Sequence, residues 1–401
     1  METEEKCSLS PRRIKRRMAL TEIFYNFCFA STNFRTVFLQ ELGFGTGKIG
    51  LVSSLCSVLG IFASPFFGVL SDKIRSVKLC FILCLSLSAI SFLFVPVAVG
   101  AGAGSAYTGV FIILVFSALF TGPAMDMMEN WLVQIDLRYR EVSYGSMRIW
   151  ASLAFAALSL IYVPVLKHMA TSYVYVLYFL FALPAVFIAV SVPSFGGSGA
   201  KSRQRLRDMP FKQVINKPFV LFLVFMVLHN IPCNWKNTYF IYILNLCGYD
   251  SRLFGLFMCV SACFEVPALL MSRRVVDKYG PVLPMLVSFA MIVIEEALYA
   301  GAHSLTPILI AQLFKGASGG MLYACQIRYI YSVSPEGLHT TSMTLVSSVN
   351  SIVSIAASAV GGYLLAAMGT RPFFVLIAAL EAAALAYFAV SQMRNRPARA
   401  D

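Results

Sequence analysis

Charged residues that fall inside long apolar runs are the part of this sequence with the chemistry to do work. Asp126 and Glu129 lie three apart, on one face of a helix. Glu265 precedes Pro267, and Glu295 and Glu296 adjoin in an apolar run. Arg35, Arg148, Lys236, Lys315 and Glu381 are similarly placed. Such a residue at mid-bilayer costs roughly 2.5–3.5 kcal/mol on insertion scales, so each is a candidate for a transport pathway or an internal ion pair. A carboxylate in low dielectric holds its proton more tightly and exchanges it near neutral pH, which proton coupling requires. A cluster such as Asp126 with Glu129 could hold sodium instead. Glu22, near the end of its run, is expected to reach water. Lys315 is expected in a structural ion pair of the carboxyl half. Glu381 reads equally as a pathway residue or a helix contact.

One run is rich in other polar groups. Asn230, Asn234 and Asn237 recur at helical spacing around Pro232, Trp235 and Lys236. Proline frees a backbone carbonyl, and amides beside an indole suit a polar, ring-shaped ligand. Asn also joins membrane helices to one another, and both readings stand. Ser347, Ser351, Ser354 and Ser358 form a second stripe, read as close packing. Ten cysteines lie mostly in apolar runs. Cys80 with Cys84 and Cys259 with Cys263 lack the partners of a metal site and read as buried packing. No metal or cofactor is expected.

The elements that hold these residues follow from composition. Of 401 residues, 58% are hydrophobic and 13% charged, against about a quarter charged in soluble domains; mean hydropathy is +0.75. With about twenty apolar residues per span, twelve helices are expected, roughly at 18–40, 49–70, 79–99, 106–127, 147–165, 172–192, 218–245, 252–271, 281–300, 305–325, 341–365 and 371–391. The net charge of +13 sits in clusters between runs, from Arg12 to Arg17, from Lys201 to Lys217 and from Arg394 to Arg399. That placement reads as cytoplasmic anchoring against anionic lipid, not nucleic-acid binding. Alternate loops are basic, so both termini are expected in the cytoplasm, with no cleaved signal peptide. The expected divisions are a basic segment 1–17, a six-helix half 18–192, a linker 193–217, a second half 218–392 and a tail 393–401.

A motif recurs between the halves. Gly68-Val69-Leu70-Ser71-Asp72-Lys73 follows the second run, and Asp277-Lys278-Tyr279-Gly280 follows the eighth. With twelve spans and this repeat, the chain resembles the major facilitator superfamily over about residues 18 to 392. The resemblance implies an all-α membrane fold of two pseudo-symmetric six-helix halves. It also implies a cytoplasmic gate at Gly68, Asp72, Lys73, Asp277, Lys278 and Gly280, with Lys78 as a further basic partner. The chain departs from the family's loop at Arg75, where a second glycine is usual, and at Arg273, where the later copy lacks its first glycine.

A second stretch narrows the branch. Asp126 ends the fourth run, and Tyr144-Gly145-Ser146-Met147-Arg148-Ile149-Trp150-Ala151 opens the fifth. This resembles the lactose permease branch, with its oligosaccharide, nucleoside and phenylpropionate relatives. The resemblance implies a cavity that holds Asp126, Arg148 and Glu265; Trp150, Arg35, Asn230, Asn234, Trp235, Lys236, Glu295 and Glu296 are further candidates for substrate binding or coupling by their own residue types and placement. Arg148 can hold a carboxylate bidentately or donate to a sugar hydroxyl. In place of the branch's basic ninth helix this chain has Glu295 and Glu296, and in its tenth Lys315. An ion pair between those helices survives that exchange, whereas the proton relay need not. Glu265 is open to substrate, proton, or pairing with Lys236 or Lys315.

The function expected is proton-coupled import of a small polar solute across the cell membrane by a monomer, with a sugar or glycoside first. A nucleoside or aromatic carboxylate symporter, an efflux transporter and a non-transporting sensor are the alternatives. An enzyme is not expected, because His168, His229, His303 and His339 are scattered.

Overall fold

The computed structural model describes residues 10–139, 144–193, 216–335 and 338–394. All regular structure among them is helical. The helices are α1 (Pro11–Asn33), α2 (Arg35–Glu41), α3 (Thr46–Lys73), α4 (Val77–Gly100), α5 (Ala103–Arg138), α6 (Tyr144–His168) and α7 (Tyr173–Val190), then α8 (Lys217–Leu246), α9 (Phe254–Tyr279), α10 (Val282–Ala300), α11 (Leu305–Val333), α12 (His339–Met368) and α13 (Thr370–Arg394). A single 3₁₀ turn, Ser251–Leu253, leads into α9. Twelve of these helices are long, and eleven are long and apolar enough to cross a membrane. The exception is α1, whose first turns carry Arg12, Arg13, Lys15, Arg16 and Arg17.

The first span differs from the expected 18–40. It starts at Pro11 and breaks at Phe34. Thr32 Oγ1 and Asn33 Nδ2 both donate to the Phe29 carbonyl, at 2.8 and 2.9 Å. Side chains that claim helix carbonyls compete with the backbone ladder. Several other helices outrun their apolar windows. α5 extends to Arg138 and α11 to Val333, because a helix does not stop where hydropathy falls.

The chain divides into two compact units, Met1–Gly43 with Leu55–Lys201, and Phe44–Ser54 with Ser202–Asp401. In the first, α4 packs on α5 and α7, and α1 on α6 and α7. The turn after α3 closes with Arg75 at φ 51, a left-handed conformation that glycine ordinarily supplies. Ser76 caps α4 by accepting from Leu79 N at 3.2 Å. Lys78 Nζ donates to the Val190 and Val192 carbonyls at the end of α7, at 3.3 and 2.9 Å.

In the second unit α8 packs on α12 and α13, α9 on α11, and α10 on α11 and α13. An aromatic core of Phe219, Phe222, Phe225, Phe289, Tyr329 and Phe388 fills one end. Gly316 and Gly320 of α11 allow close approach to α9. A Cβ at Gly316 would collide with the Ser261 carbonyl, and one at Gly320 with that of Glu265 at 2.5 Å. The first turns of α3 also belong here, with Thr46 Oγ1 donating to Gly362 O at 2.8 Å and Ser54 Oγ to Ile355 O at 3.0 Å. The basic linker 193–217 and the tail 393–401 fall almost wholly outside the described residues, so their division is not a feature of the fold described.

Candidate functional site

The first unit holds Asp126 in α5, exposed, near the Ser64 hydroxyl of α3. Arg35 opens α2, half-buried, within electrostatic reach of Cys56 and Tyr175. Trp150 on α6 is exposed. The Arg148 side chain lies outside the described residues, and with it the expected pairing to Asp126. Glu22 corrects the expectation that it reaches water. It is buried, and Asn26 Nδ2 donates to its carboxylate at 2.9 Å.

The second unit gathers charge in its interior. Lys236 on α8 reaches α10, with Nζ 3.0 Å from Glu295 Oε2 and 3.4 Å from Glu296 Oε1. All three side chains are buried. The partner of Lys236 is therefore the α10 acid pair, not Glu265 as one reading had it. Lys315 is corrected likewise. It makes no ion pair among the described residues and lies 5.9 Å from the centre of the Phe240 ring, within the field of Glu295 and Glu265. Glu265 is half-buried where α9 packs on α11. Long, flexible Lys236 reaches across to α10, whereas Gly316 and Gly320 hold the α11 backbone against α9.

One pair is not deducible from the sequence. His229 Nδ1 lies 2.7 Å from Glu381 Oε1, joining α8 to α13 in the buried core. The His229 ring lies parallel to Phe225 and edge-on to Phe289. Helical spacing could have offered a clue: His229 and Lys236 are seven apart and share a face of α8. The partner helix is not deducible from spacing.

The amide stripe of α8 is engaged with α12. Asn230 Nδ2 donates to Asn350 Oδ1 at 2.6 Å, and Asn234 Oδ1 accepts from Ser358 Oγ at 3.0 Å. Trp235 Nε1 donates to the Ala357 carbonyl at 2.7 Å and is buried. Asn237 is exposed, with Nδ2 3.5 Å from Cys233 Sγ. Of the cysteine pairs, Cys80 and Cys84 are buried, whereas Cys263 is exposed.

Of the loop residues, Gly68, which accepts from Ser71 Oγ at 2.7 Å, has open space where a Cβ would stand. Asp72 and Lys73 are exposed. Asp277 has Arg328 of α11 at 3.1 Å and Arg273 of its own helix at 3.8 Å. Lys278 lies 5.0 Å from the centre of the Tyr279 ring, and Gly280 ends α9 at φ 71. Arg328, beyond the expected span 305–325, is thus a helical residue of α11 paired with Asp277.

Eleven apolar spans and buried charge within them define an integral, multi-pass membrane protein, and its fold is that of known transporters. A variant of the nucleoside transporter NupG superposes with a TM-score of 0.82 at 14% identity, covering 94% of this chain and 99% of that one. Residues 19–376 match the MFS_1 like family, and the chain belongs to it: it is an MFS transporter, not an enzyme. It is 23% identical over 364 residues to the uncharacterized transporter YwbF of Bacillus subtilis (strain 168), covering 88% of each chain. It is 26% identical over 334 residues to the maltose permease of Geobacillus stearothermophilus, covering 82% of each chain.

Proposed function

We propose that this transporter imports a small polar solute, a sugar or glycoside first, with protons as the coupling ion. The observation that carries this reading is the likeness to a maltose permease over 82% of both chains. The likeness to NupG is one of fold and does not favour a nucleoside. The chain is read as a monomer in the cell membrane, both termini cytoplasmic, working by alternating access.

In this reading Asp126, Arg148, Trp150 and Arg35 meet the solute from the first half, and Glu265, Asn230 and Asn234 from the second. Trp235, whose indole nitrogen already serves Ala357, contributes only its ring. Lys236, Glu295 and Glu296 serve coupling, because charge buried this deeply is costly unless it is used or fully paired. The loops at Gly68, Asp72 and Lys73 and at Asp277, Lys278 and Gly280 close the cytoplasmic side.

The test is uptake of labelled maltose into proteoliposomes with and without an inward proton gradient, beside uridine and phenylpropionate. Accumulation of maltose only with the gradient is expected, and lost in Arg148→Ala. Accumulation of uridine or phenylpropionate instead replaces the sugar reading, and a sodium requirement replaces the proton.

A further inference from the structure

The buried charge of the second unit does not balance around Glu296. Three carboxyls, Glu295 and Glu296 on α10 and Glu381 on α13, are each fully buried. Lys236 donates a hydrogen bond to Glu295 at 3.0 Å and stands 3.4 Å from one oxygen of Glu296 without bonding it. His229 serves Glu381 at 2.7 Å. Glu296 is left over: neither of its oxygens has a hydrogen-bond partner among the described residues.

The groups that face it leave no other source of charge. From α8 come Lys236, His229 and the Cys233 thiol, from α10 Glu295, and from α13 Glu381, which lies within electrostatic reach of Glu296. Lys315 of α11 lies within electrostatic reach of Glu295, Lys236 and Cys233 and of Glu265 of α9, and makes no ion pair among the described residues. A buried carboxylate without donors is among the most costly groups in a protein, and one ammonium cannot neutralise two carboxylates that share it. Among the described residues no three of His, Cys, Asp and Glu converge as a metal site would need, which favours the proton over a coordinated cation.

We propose that Glu296 is a proton-binding site, holding a carboxyl proton at neutral pH beside the Lys236–Glu295 ion pair. The inference deepens the proton-coupled reading above by naming where the proton resides. Proton loss there leaves two anions to compete for Lys236, so deprotonation and a change in the α8–α10 contact are linked. The site lies wholly within the second unit.

The test is infrared difference spectroscopy of the purified full-length protein, in H₂O and D₂O and across pH. A protonated-carboxyl C=O band that shifts in D₂O is expected at neutral pH in the wild type. It is expected to be lost in Glu296→Gln and kept in Glu265→Gln, Glu381→Gln and Asp126→Asn. Absence of the band in the wild type, or its survival in Glu296→Gln, overturns the proposal. Loss on replacing choline chloride with sodium chloride at fixed pH also overturns it, in favour of a sodium site. Should Glu296→Gln not fold, the other three variants bracket the site, and loss of the band in any of them overturns it. No solute is added, so a failure of the maltose reading leaves this result intact.

Discussion

Lys236 is the residue on which the interior of the second unit turns, since it is the cation bonded to Glu295 and closest to Glu296. Removing one partner of a buried ion pair costs about 3–5 kcal/mol, because the other charge stays buried and uncompensated. Lys236→Met is therefore expected to destabilise the protein by about that much, read as a fall in melting temperature in detergent. Lys236→Met with Glu295→Gln is expected to recover a large part of it. Equal stability of wild type and Lys236→Met would show that the pair is already broken. The exposed pair of Arg328 and Asp277 is the contrast. Arg328→Ala is expected to change stability by less than about 1 kcal/mol, since exposed pairs are weakened by water and salt. That Lys236, Glu295 and Glu296 matter was legible in the sequence, because charge in an apolar run is conspicuous. Their pairing was not, because Glu265 offered a carboxyl at comparable depth.

At the scale of elements, two nearby glycines of α11 differ in what surrounds them. Gly316 meets the α9 backbone, whereas Gly319 has open space. Overpacking costs about 1–3 kcal/mol, and Gly316→Ala is expected to lose that much. Gly319→Ala is expected to gain roughly 0.5 kcal/mol from helix propensity. The order of the two melting temperatures is the check. Gly280 ends α9 at φ 71 and ψ 173, a region nearly closed to other residues. Gly280→Ala is expected to cost about 1–3 kcal/mol, whereas Gly68→Ala, in a helix and with open space for its Cβ, is expected to gain roughly 0.5 kcal/mol like Gly319→Ala. The repeat motif thus demands different things of its two glycines. The turn after α3 shows how a missing signature residue is tolerated. Arg75 adopts the left-handed backbone itself, and the Ser76 cap and Lys78 contacts hold the elements on either side.

For the whole molecule, the alternation of basic loops predicts that both termini face the cytoplasm. A fluorescent protein fused after Asp401 is then expected to be bright, and a phosphatase that needs the periplasm inactive at the same point. The opposite pair of signals would invert the topology. Sequence alone determined the number and rough place of the long helices, the doubling of the loop motif and the class of protein. All of these follow from hydropathy and charge, which the bilayer reads one segment at a time. Only the tertiary structure decided that α1 breaks at Phe34, that Lys236 joins the α10 acids, that His229 meets Glu381 and that the α8 amides face α12. Each of those depends on which helix faces which. Segments of like apolar character do not encode that choice locally; small residues such as Gly316 and Gly320, and the cost of leaving a buried polar group unpaired, settle it as the helices pack.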